Sequence, residues 1–122
     1  RILVPGGYVR EGEMPDRAVE REIYEETGVV CKARSLAALE MRPERWCAVF
    51  IMEHISGEPR SDGYENSEVL LLTAAEAAAR PDITNMSRAM LSAYAEGRFA
   101  CLEKNSFVSP TAEEGKYGLY GF

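Results

Sequence analysis

The stretch from Pro15 to Gly28, PDRAVEREIYEETG, leaves the chain little choice of local structure. Pro15 has its φ pre-set for a first helical position, and Asp16 favours the positive end of a helix. Val19, Ile23 and Thr27 recur at four-residue steps and give that helix one core-facing side. Gly28 is a natural stop, so a helix of about three turns is expected. Immediately before it, PGG at 5–7 forces a turn or loop, and RILV at 1–4 reads as the end of a strand. The order strand end, glycine loop, helix frames the rest of the reading.

The same region concentrates charge. Seven acidic residues fall in the sixteen positions from Glu11 to Glu26. On a helix, Glu22, Glu25 and Glu26 stand at i, i+3 and i+4, so their carboxylates share one face. Like charges at that spacing destabilise an isolated helix, so either solvent screens them or a cation joins them. A solvated helix face is the ordinary explanation of an acidic cluster, and the glycine loop directly upstream is what favours a ligand site instead. The net charge of −6 argues against a binder of nucleic acid polymers, which needs a basic surface to displace counterions. A phosphate-bearing small ligand would need metal cations to offset the repulsion.

Gly7, Glu13, Arg21, Glu22, Ile23, Glu25, Glu26, Gly28 and Val29 fall at the spacing of the Nudix box, and the stretch resembles a Nudix hydrolase at all nine positions. The likeness in detail covers 7–29; beyond it lies only in the order of elements and a few acidic positions. It implies the α/β class: a Nudix-type α/β/α sandwich with a mixed β-sheet, one domain over 1–122, whose loop-helix-loop holds divalent metal against a diphosphate. It also implies hydrolysis of a phosphoanhydride bond in a nucleoside diphosphate linked to another moiety. ADP-ribose, another nucleotide sugar and a modified nucleoside triphosphate all remain open as substrates. By likeness, Glu22, Glu25 and Glu26 would ligate Mg²⁺, or Mn²⁺ in its place, with a backbone carbonyl of Gly6 or Gly7 completing the sphere. Magnesium prefers hard oxygen donors, and its charge offsets that of the diphosphate and acidifies a water. Arg21 would orient the carboxylates, against the alternative of an ordinary surface ion pair, and Glu13 would tie the loop to the helix.

Many relatives carry a further acidic residue after the box, which makes Glu65 and Glu68 candidates for another metal ligand or the general base. A charged turn is the alternative, with Asp62, Gly63 and Asn66 beside them. Glu22 is the rival base, but close cations make it the better ligand and the weaker base, so an outside base is favoured. Arg10 in the loop could meet a phosphate or face water. Trp46 could stack a nucleobase, although a lone Trp at a strand start is more often core. Met14 stands where many relatives have a small polar cap, a change that weakens a helix start by up to ~1 kcal/mol.

Beyond the box, 29–41 and 45–56 read as strands, and the second, apolar on both faces, is expected to be central. A further strand is expected at 67–72, and helices at 73–80 and 85–97, stopped by Pro81 and Gly97. The irregular tail, 101–122, keeps aromatics that dock on the domain or on a second subunit, so a homodimer is one open arrangement. Cys31, Cys47 and Cys101 form no CxxC pair, which points to reduced, mostly buried thiols and a cytoplasmic location. No apolar run matches a membrane span, and no signal peptide is apparent. The sequence opens on Arg1, so the upstream strands that relatives use for a base pocket are expected to be incomplete in it. Two rival functions remain: a Nudix-fold nucleotide-binding or regulatory module that does not hydrolyse, and a structural acidic helix. The complete set of box carboxylates favours hydrolysis.

Overall fold

The computed structural model describes residues 4–60 and 72–122. The elements are α1 (Pro15–Thr27), β1 (Val30–Arg42), β2 (Arg45–Ser56), α2 (Ala74–Ala78), α3 (Asn85–Ala95) and β3 (Leu102–Glu103). The strand expected at 67–72 falls almost wholly outside the described residues, as do Glu65 and Glu68. Among the described residues no helix is long and apolar enough to cross a membrane.

α1 begins at Pro15, and Met14 at its N-cap makes no side-chain capping bond. It ends where Gly28, at φ 76°, donates its N–H to the Tyr24 carbonyl at 2.8 Å. A two-residue turn then joins β1 and β2 into a long antiparallel hairpin, paired from Val30–Ser56 out to Arg42–Arg45. β3 adds to the other side of β1 through Ser35–Glu103 and Leu36–Leu102, giving the order β2-β1-β3. The α/β class is as expected, but every pairing in the described sheet is antiparallel rather than mixed.

The described residues also place β1, not β2, in the middle of the sheet. The physical reason is size rather than apolar content. Cys31, Ala33 and Ser35 alternate as the buried positions of β1, and such short side chains let α1, with Ala18 buried, lie close to the strand. At the register shift after Ala33 its N–H donates to Glu20 Oε2 at 2.9 Å, so an acid of α1 takes up a strand donor. β2 carries no buried residue and pairs with β1 alone among the described strands. The expectation of mostly buried cysteines holds for Cys31 only. Cys101 is partly covered, and Cys47 is exposed because it pairs with Glu40, beyond the last buried position of β1. All three are free thiols.

α2 and α3 pack on each other, where Arg88 Nη1 donates to the Ala78 carbonyl at 2.8 Å, while α1 is the helix that lies on the sheet. Thr73 and Glu76 form a capping box at the start of α2. The tail docks on its own domain. A bridge between Lys104 and Tyr120 closes it into a loop, and the Tyr120 ring meets Phe50 edge-on at 5.6 Å. Lys104 Nζ and the Tyr120 hydroxyl both donate to Asp16 Oδ2, at 3.0 and 3.1 Å. Asp16 is only 7% exposed. Burial pushes its carboxyl up, but Lys104 and Tyr120 outweigh that and hold it below the usual carboxylate range.

The helix exit is tight. Gly57, at φ 89°, lies so close that a Cβ there would stand 2.6 Å from the Gly28 carbonyl oxygen. Gly57→Ala should therefore cost about 1–3 kcal/mol, read as a lower urea midpoint with an unchanged slope. A wild-type midpoint would contradict this close approach.

Candidate active site

Arg21 sits at the end of the second turn of α1 facing the loop, and its planar fork uses three sides at once. Nε and Nη2 donate to the two oxygens of Glu13 at 2.8 and 3.0 Å, a bidentate pair. Nη1 donates to Glu22 Oε1 at 2.9 Å and to Glu25 Oε2 at 3.1 Å, and Nη2 also reaches the Tyr8 carbonyl at 3.1 Å. The side chains of Arg21 and Glu13 are 18% and 17% exposed, so this is not the solvated surface pair that contributes little. Glu13 is held from the loop side as well. Its carboxylate accepts the Arg10 N–H at 3.0 Å, and its own N–H donates to the Arg10 carbonyl at 3.0 Å. The Arg21 hydrogen bond, then the Arg10 amide, hold the Glu13 carboxyl down at about 2 against an ordinary 4.5. The same pairing pushes the Arg21 guanidinium up.

The Glu22 carboxylate lies against the Gly7 backbone. A Cβ at position 7 would lie 2.6 Å from Glu22 Oε2 and closer still to the rest of that carboxylate, so loop backbone and helix acid touch directly. Gly6, next to it, has open space on its Cα. Glu25 is 48% exposed and has Arg10 Nη2 at 3.5 Å from Oε1, so the loop arginine meets a carboxylate. Glu26 is part-buried on the same helix. Trp46 pairs across the hairpin with Met41 and is 69% exposed, which overturns the core reading.

The structure thus brings Gly7, Arg10, Glu13, Arg21, Glu22 and Glu25 into one cluster. Among the described residues no three acidic, histidine or cysteine side chains converge closely enough to surround an ion. Carboxylates are nonetheless the donors that a hard divalent cation takes, and the bare Gly7 backbone against Glu22 leaves the loop free of side-chain bulk at that point. Sequence reasoning missed the Tyr8 carbonyl and the attachment of Lys104, Lys116 and Tyr120 to the region around α1's start. Backbone acceptors leave no mark on a sequence, and Tyr120 lies 104 residues from Asp16.

The family model described as NUDIX domain matches residues 2–94. The chain belongs to the Nudix family. Its box is the loop and helix just described. Over 63 residues this Nudix chain is also 43% identical to an ADP-ribose pyrophosphatase of Methanocaldococcus jannaschii. That match covers 47% of the chain and 37% of the relative, so the chain aligns with little more than a third of that protein's length.

The depressed Glu13 carboxyl fixes a sign. A carboxyl at 4.5 when unfolded and about 2 when folded adds stability at neutral pH that is lost as pH falls through that window. Glu13→Gln should lower the urea midpoint at pH 7 and flatten the acid limb, with the two proteins converging near the bottom of the window. Parallel curves would contradict the clamp.

Proposed function

We propose that this Nudix chain hydrolyses the phosphoanhydride bond of a nucleoside diphosphate linked to another moiety, with ADP-ribose the first substrate to test. The observation that carries the reading is the Arg21 clamp, which gathers Glu22 and Glu25 against the glycine loop. The similarity to an ADP-ribose pyrophosphatase supports the choice of substrate.

In this reading Glu22, Glu25 and Glu26 hold Mg²⁺ or Mn²⁺, with the Gly6 or Gly7 carbonyl as a further oxygen donor. When bound, the metal would offset the charge of the diphosphate and make the attacking water more acidic. The residues of the chain supply the rest. Arg21 keeps the loop and the helix acids in one register, since its fork binds both sides at fixed angles. Arg10, exposed and beside Glu25, is placed to turn from that carboxylate to a substrate phosphate. Glu22, held by Arg21 and packed on Gly7, is better suited to ligation than to proton transfer, so the base proposed is Glu65 or Glu68. Trp46, with its ring in solvent, is the proposed stacking surface for a base.

The test is a panel of ADP-ribose, nucleotide sugars and modified nucleoside triphosphates, assayed with Mg²⁺, with Mn²⁺ and with a chelator. Metal-dependent release of a nucleoside monophosphate is expected. Glu25→Gln and Glu26→Gln should each lower turnover by at least ~100-fold, because each removes charge from the metal seat. Nucleotide binding without hydrolysis would favour the regulatory module instead, and near-wild-type activity in both variants would remove these residues from the site.

A further inference from the structure

We propose that the tail, 101–122, is a strap that fixes the turn carrying Glu13, with Lys116 and Tyr120 as positioning residues for the hydrolysis proposed above. The role rests on that reading of the site, and the strap itself rests on geometry alone. The segment lies past the 2–94 that matches the family, so nothing in that match accounts for it.

The contacts run in step. Lys116 Nζ donates to the Gly12 carbonyl. A Cβ at Gly118 would be 3.8 Å from Met14 Cε, which puts the tail backbone against that side chain. The Tyr120 hydroxyl donates to Asp16 Oδ2 at 3.1 Å. Positions 116, 118 and 120 therefore meet positions 12, 14 and 16, two parallel runs touching at every second residue. Between the first two of these contacts lies Glu13, whose carboxylate turns the other way to Arg21. The strap holds one side of the turn and Arg21 the other.

The strap is built to hold its shape. The Asn105 N–H donates to the Leu119 carbonyl at 2.7 Å and the Gly121 N–H to the Glu103 carbonyl at 2.9 Å, closing the loop at its neck. Phe107 and Tyr117 meet edge-on at 6.0 Å within it. β3 ties the neck to β1, so the strap joins the centre of the sheet to the start of α1. It also braces the start of α1, where Met14 makes no side-chain cap and loss of order would move Glu13 and, through Arg21, Glu22 and Glu25.

The experiment uses Lys116→Met and Tyr120→Phe in the whole chain, with Lys116→Arg as the conservative control. Amide exchange is expected to quicken by about 10-fold at Arg10 and Glu13, with the β1–β2 ladder unchanged as the sign of an intact fold. In the same variants kcat should fall about 10-fold with KM near wild type, and Lys116→Arg should restore both readouts. Unchanged exchange at Arg10 and Glu13 would overturn the strap. Faster exchange with unchanged kcat would overturn the positioning role. A wild-type chain inactive on every nucleotide would overturn the reading of the site, while the exchange result would still decide the strap.

Discussion

The Arg21 guanidinium is shared by three carboxylates and a carbonyl, and the candidate site takes its shape from that sharing. An ammonium in its place would be a point charge with no fixed angles between its partners. The planar fork instead dictates where Glu13 must lie relative to Glu22 and Glu25, and so where the loop must lie relative to the helix. Without it, Glu13 would lose its bidentate partner on the helix, and Glu22 and Glu25 would lie on one face of α1 without the cation they share.

The seven acids from Glu11 to Glu26 then divide by what they touch. Glu13 binds Arg21 and the Arg10 amide, Asp16 binds Lys104 and Tyr120, and Glu20 takes the Ala33 N–H of β1. These three hold loop, tail and sheet to α1. Glu22 and Glu25 share Arg21 Nη1, Glu26 lies on the same helix, and Glu11 lies in the exposed turn. Part of the charge is therefore structural glue between a short helix and its surroundings, and Glu22, Glu25 and Glu26 are the oxygen donors of the metal seat proposed above.

What the sequence made legible follows from locality. Pro15 and Gly28 mark α1 to the residue, and the hairpin from 30 to 56 shows in its apolar runs. Among the described strands β1 rather than the more apolar β2 lies in the middle, where Cys31, Ala33 and Ser35 are modest in hydrophobicity yet are the positions a helix can approach closely. Trp46 looked like core for a similar reason: the ring is large, but the hairpin carries it past the part of β1 that α1 covers. The tail was illegible because its partners lie 88 and 104 residues away and its order comes from polar bonds with no period. At the site, the acids and Arg21 were readable as a pattern, whereas the way Glu22 rests on Gly7 needed coordinates.

The central claim is that the α1 face beside the glycine loop binds divalent metal. Paramagnetic Mn²⁺, added in small amounts to the isotope-labelled chain, tests it without reference to any substrate. The result predicted is line broadening centred on the amides of Gly6, Gly7, Glu22, Glu25 and Glu26, reversed by excess Mg²⁺ and lost in Glu26→Gln. Broadening spread over acidic residues at large, or centred away from that face, would contradict it.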